Sequence, residues 1–193
     1  MNKDKTNPGL WSIVDSTYNR QEFGDFKVGD RHRSALQVWS FKSIEVTHDK
    51  SKSIKEIDLG LYDITGQVYY YPNSEIIVLN CGVYAYAAEW PDVKNLRNGS
   101  FVTARLYIGF EDDYNYRLFQ RDDPEFPDMM HTWEITDILV DAKTPLDRKI
   151  QLKELPVVHV SNDGSVYKRI NKTDAYNDCD GSTTYIYICK KLD

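Results

Sequence analysis

The sequence predicts a mainly β protein: an antiparallel small barrel of OB type, or a sandwich, with short helical turns and a C-terminal extension. Three observations carry this. Short alternating or continuous apolar runs recur along the chain with Gly, Asn and Pro between them, the pattern of strands separated by turns. Aromatic residues make up 13% of the chain, and 14 residues are tyrosines, whose rings suit half-buried strand surfaces while their hydroxyls stay wet. Sustained helical periodicity is absent.

At 193 residues, 41% hydrophobic and 28% charged, the chain is long enough to bury a core and too apolar to be disordered. Residues 1–9 read as a disordered leader, 10–145 as the barrel core, and 146–193 as C-terminal strands packing on it within a single domain. In Ser34–Thr47, apolar groups fall on both faces (Leu36 and Val38 against Trp39 and Phe41), as in a strand covered on each side. A second stretch, Ile54–Tyr71, ends in Val68-Tyr69-Tyr70-Tyr71 and the turn Pro72-Asn73-Ser74. The most apolar window, Glu75–Ala88, is rich in β-branched residues and predicts one central strand with a bend or bulge at Gly82. Asn98-Gly99 is a turn signal leading into Phe101–Phe110, where Val102, Ala104, Leu106 and Ile108 share a face. Trp133–Val140 and Ser182–Cys189 read as further strands, and Ile150–Val160 as one strand or an extended arm. One or two helical turns are expected near Trp90–Leu96 and within Glu111–Arg121.

Composition narrows function. A net charge of −6 repels phosphate backbones, and Arg31-His32-Arg33 is too short to track one, so no nucleic-acid partner is expected. The N-terminal MNKDKTNPGLW has no apolar h-region, and no run approaches the roughly 20 apolar residues that span a bilayer. The expectation is a cytoplasmic protein without membrane contact, its cysteines Cys81, Cys179 and Cys189 reduced. His32, His48, His131 and His159 are scattered without ligand spacing, and Tyr176–Gly181 fails as a calcium loop because Tyr187 stands where a glutamate is needed. No nucleophile, phosphate-loop or dinucleotide motif is present, and Cys81 reads as a buried, inert thiol. No cofactor, metal or catalytic residue is assigned.

One segment departs from this evenness. GFEDDYNYRLFQRDDPEFPDMMHTW, Gly109–Trp133, holds seven acids against two bases between Glu111 and Asp128, a net −5 of the chain's −6. Localised charge steers an oppositely charged partner, and tyrosines are frequent interface anchors. Pro124 and Pro127 restrict the backbone around Phe126 and lower the ordering cost of binding. The segment therefore predicts a partner-binding surface of Glu111, Asp112, Asp113, Tyr114, Tyr116, Asp122, Asp123 and Phe126, facing a basic protein. A solvated connection whose Tyr116, Phe119 and Phe126 plug one end of the barrel fits the same residues about equally well. Two other readings compete: a barrel binding a small molecule or carbohydrate by stacking on Trp39, Tyr69, Tyr71 and Trp133, and a hydrolase built from dispersed carboxylates such as Asp112 and Asp122.

The strand leading from Gly99 into this loop, followed by HTWEITDILVDAKTP (His131–Pro145), is similar to a group of small bacterial β-barrel proteins of unassigned function. The resemblance covers about a quarter of the chain. It implies either a partner in a toxin-immunity locus or an orphan cytosolic barrel, and transfers no functional residue. The acidic-aromatic segment and the missing catalytic motifs make an immunity protein blocking a basic toxin the leading expectation.

Overall fold

The computed structural model describes residues 9–16, 19–20, 24–87, 90–111, 113–141, 155–175 and 184–193, the side chains of 113–116 excepted. Mainly strand, the chain forms one large mixed sheet. Its strands are β1 (Trp11–Ser16), β2 (Arg31–Thr47), β3 (Ser53–Asp58), β4 (Leu61–Tyr71), β5 (Ile76–Asn80) and β6 (Tyr84–Ala87). β7 (Phe101–Glu111) follows, then a helix α1 (Asp113–Asp122), β8 (His131–Asp141), β9 (Val157–Val160), β10 (Val166–Ile170) and β11 (Thr184–Lys191).

The strands are ordered β3-β4-β5-β6-β2-β7-β1-β11-β8-β10-β9, with further pairings β4–β7 and β2–β8. β2 and β7 form the central ladder, registered from Ala35↔Glu111 to Thr47↔Phe101. On its other edge β2 meets β8 through Arg31–Ser34 and β6 at Leu36 and Gln37. β7 meets β4 along 101–107 and β1 at Gly109. Hydrogen bonding thus returns on itself twice, through β4, β5 and β6 and through β1, β11 and β8, with β2 and β7 shared. The β1–β7 and β2–β6 contacts are parallel, so the all-antiparallel expectation is corrected to a mixed sheet. Parallel neighbours need long crossover connections, which a local hydrophobic pattern does not reveal.

Inward residues of both circuits form one core. On β7, Val102, Ala104, Leu106, Ile108 and Phe110 are all buried while Thr103 and Arg105 alternate outward, the period-2 signature of a strand with one covered face. Trp11 lies between Tyr62 and Trp133, at ring separations of 5.8 and 5.7 Å. The Tyr62 hydroxyl accepts from the Ser12 amide at 2.9 Å, which lets a buried phenol keep a partner. A polar group sits inside as well: Asp15 and Arg20, both buried, pair at 2.6 Å. Burial pushes the Asp15 carboxyl up, against the opposing pull of Arg20.

Several boundaries differ from expectation. The window Glu75–Ala88 holds two strands, β5 and β6, paired antiparallel. The chain reverses at Cys81-Gly82-Val83, where Gly82 takes φ 105°, a left-handed conformation only glycine adopts freely. Residues 90–96 form no helix; apolar residues there (Trp90, Leu96) pack against the core without helical periodicity. The expected Asn98-Gly99 turn is present, with Gly99 at φ 84°. Of Ile150–Val160, β9 covers only Val157–Val160, and residues 142–154 lie outside the described residues, as do 1–8 of the expected leader. From 146–193, β11 is inserted between β1 and β8, while β10 and β9 end the sheet. Burial pushes the Cys81 thiol up to about 11 and raises that of Cys189 as well.

Candidate functional site

A second, smaller core lies on the outer side of the sheet, beneath the segment that follows β7. It unites Ala35, Ile76, Val78, Tyr86, Phe126, Met129 and Met130. Phe119 from α1 meets the Tyr86 ring edge-on at 5.0 Å and Phe126 at 5.7 Å. Phe126 in turn meets Tyr71 at 4.9 Å. Such tilted and edge-to-face pairs are favoured by ring quadrupoles and add about 0.5–1.5 kcal/mol each beyond burial.

Hydrogen bonds fasten the loop to the sheet. The Asp123 carboxylate accepts from the Ser74 amide at 2.8 Å and from the Ser74 hydroxyl. Asn73 donates its side-chain amide to the Asp122 carbonyl at 3.0 Å. The Phe126 amide donates to the Asp123 carbonyl at 2.9 Å, closing a turn around Pro124. Glu111, at the end of β7, accepts from the Tyr86 hydroxyl, and its carbonyl accepts from the Ser34 hydroxyl.

The eight residues expected to face a partner therefore divide. Glu111, Asp123 and Phe126 are buried at 6, 6 and 5% exposure, and belong to the scaffold. The Phe126 ring belongs to an apolar cluster that joins residues of β2, β4, β5 and β6 to Phe119 of α1 and to Met129 and Met130. Asp122 stays exposed, gripped on both oxygens by Arg121 at 2.8 and 3.2 Å, a hydrogen bond that lowers its carboxyl. Asp112 lies outside the described residues, as do the side chains of Asp113, Tyr114 and Tyr116. Of the proposed stacking aromatics, Trp133 is fully buried and donates its indole N–H to the Ser34 carbonyl at 3.1 Å. It is core, because β8 turns it into the space Trp11 and Phe110 share.

Beside this loop runs a groove of about 540 Å³, lined by Tyr69, Tyr70 and Tyr71 on one side and Asp123, Pro124 and Glu125 on the other. Tyr69 and Tyr71 lean on the outer core, whereas Tyr70, at the rim of β4, is 45% exposed. The Tyr70 amide is held by Asn98 at 3.2 Å, and the Tyr69 hydroxyl donates to Gln67 at 2.6 Å. No lining residue is basic. Burial raises the Tyr71 phenol, and Tyr84, Tyr69, Glu125 and Asp123 push it further, so two carboxylates act on the tyrosine wall. Tyr70 and Glu125 are the residues sequence reasoning passed over. The three-tyrosine run ending in Pro72 was the available signal for the first.

Among the described residues, no group of three or more His, Cys, Asp or Glu side chains is arranged to hold a metal ion. No helix is long and apolar enough to cross a membrane. No family model, curated protein or solved structure matches this chain.

Proposed function

We propose that the protein is a non-enzymatic binding module that captures a basic protein, with the tyrosine–carboxylate groove as its docking site. A toxin of nuclease type meets that description, because its cleft must be electropositive to hold phosphate; an immunity role in a bacterial cytoplasm follows from that pairing. The hydrogen-bonded circuits support the accompanying fold proposal, two small β barrels sharing β2 and β7.

The observation that carries this reading is the groove itself. An arginine or lysine entering it meets the exposed Tyr70 ring and the exposed Glu125 carboxylate, with the buried Asp123 charge behind them and no cation in the lining to oppose it. Cation–π contact with tyrosine is worth about 0.5–1 kcal/mol at exposed sites and more when desolvated. The buried part of the segment adds rigidity. Asp123, tied to Ser74, and Phe126, wedged against Tyr71, hold Glu125 and Tyr70 in place before a partner arrives, which lowers the cost of binding.

Affinity capture from the native host tests it. Wild-type protein should retain at least one basic protein, less strongly as ionic strength rises. Glu125→Lys and Tyr70→Ala should each weaken retention at least about tenfold without lowering the melting temperature. Failure to retain a basic partner, or retention indifferent to both changes, overturns the proposal.

A further inference from the structure

We infer a second, independent site: a carbohydrate-binding cleft built on Trp39, taking a neutral saccharide. The cleft, about 560 Å³, is lined by Gln37, Trp39, Ser40, Phe41, Trp90 and Pro91, besides Val38.

Its first wall is an exposed indole held in one orientation. Trp39 is the extra residue of a β-bulge, lying between Val38↔Ile108 and Ser40↔Tyr107 in the β2–β7 register, and bulges re-aim a side chain at the cost of local pairing. The ring rests on Gly109 of β7. A Cβ at Gly109 would approach Trp39 Cε3 to 2.8 Å and the Val14 carbonyl oxygen to 3.1 Å, so only glycine leaves room for it. Glycine inside a strand costs stability and commonly marks close approach. Here that cost, and the bulge, position a tryptophan that remains 38% exposed. Core packing does not explain such an arrangement, because the ring is half in water.

The second wall is Phe41 against Trp90, ring centroids 4.8 Å apart and nearly perpendicular. Both pack on the main core, so the wall is fixed. The Trp90 indole N–H is buried without a hydrogen-bond partner.

Chemistry selects the ligand. Every lining residue is uncharged, which disfavours nucleotides and acidic or basic peptides. Aromatic faces beside an amide and a hydroxyl suit a sugar, whose C–H face stacks on the indole while its hydroxyls bond to polar side chains. The Gln37 amide N–H₂ is committed to the Phe110 carbonyl at 2.7 Å, which orients its oxygen as a fixed acceptor, and the exposed Ser40 hydroxyl donates or accepts.

Intrinsic fluorescence tests this directly, because Trp11 and Trp133 are fully buried and a ligand-induced change reports on Trp39 and Trp90. The probes are neutral oligosaccharides of glucose, mannose, xylose and N-acetylglucosamine, with UDP-glucose and a lysine-rich peptide as charged counterparts. At least one neutral saccharide should shift the emission saturably. Trp39→Ala should weaken it at least about tenfold with the melting temperature unchanged. Gly109→Ala, which displaces the ring without removing it, should weaken it in the same direction. Absence of any saturable shift with the neutral set, a response confined to the charged probes, or undiminished binding by Trp39→Ala overturns the inference.

Discussion

The interior shared by the two circuits and the small outer core beneath α1 are both aromatic, yet they are built differently. Inside, Trp11, Tyr62, Trp133, Phe110 and Tyr187 come from five strands and pack chiefly on one another, with Phe26 of the β1–β2 connection against Tyr187. Outside, Phe119 and Phe126 come from a helix and a proline-flanked loop, held by Asp123–Ser74 and Glu111–Tyr86. Fully buried rings on paired strands gain transfer energy and ladder bonds together. The outer cluster depends on a few polar fasteners, and what it gains is position: it sets Glu125 and Tyr70 at a surface. One region holds the fold, and the other holds the candidate site.

Substitutions measure that contrast. Trp133→Ala should cost about 4 kcal/mol in denaturant unfolding, at the large end for a core truncation because the cavity lies between three rings. Phe126→Ala should cost less, about 3 kcal/mol, since the loop can partly collapse over the space. If the two costs are equal, the outer cluster is as much a keystone as the interior and the contrast breaks. Asp123→Ala should cost about 2 kcal/mol, the range for hydrogen bonds to a buried charged acceptor, and should weaken partner capture through Glu125.

Acid sharpens the interior side. Burial, then the charge of Arg20, pushes the His32 imidazole down from 6.5 to about 4. The unfolded chain therefore takes up this proton first. The stability due to His32 is complete above pH 6.5 and is lost as pH falls toward about 4, with a slope of at most about 1.4 kcal/mol per pH unit. His32→Gln should flatten that part of the profile; an unchanged slope would remove His32 from the account. Smallest of all, Asp122→Asn should leave the unfolding midpoint unchanged, because an exposed ion pair with Arg121 is screened by water.

How much of this was legible varies by residue. Leu106 lies between Arg105 and Tyr107, and Ile135 between Glu134 and Thr136, so their strands could be read directly. Gly82 was visible as a bend, but whether it bent one strand or separated two depended on which neighbour β6 would pair with. In the acidic segment, the density of charge was plain while its direction was hidden. Asp122 and Asp123 are adjacent and chemically identical, yet one faces water and the other accepts from Ser74, 49 residues away. Trp39 and Trp133 likewise look equivalent in sequence, and the bulge in β2, with the Trp39 ring close over Gly109, sets the first apart.

By itself the sequence determined the strand-rich class, the alternating core of β7, the turn at Asn98-Gly99 and the crowding of negative charge after Glu111. These follow from local periodicity and composition, which depend on neighbours in the chain. Tertiary structure alone decided the parallel contacts of β1 and β2, the burial of Glu111, Asp123 and Phe126, and the opening of two grooves at Tyr70 and Trp39. Those outcomes rest on pairings between distant segments, and the free energy of a side chain's burial is set by whatever such pairing brings against it.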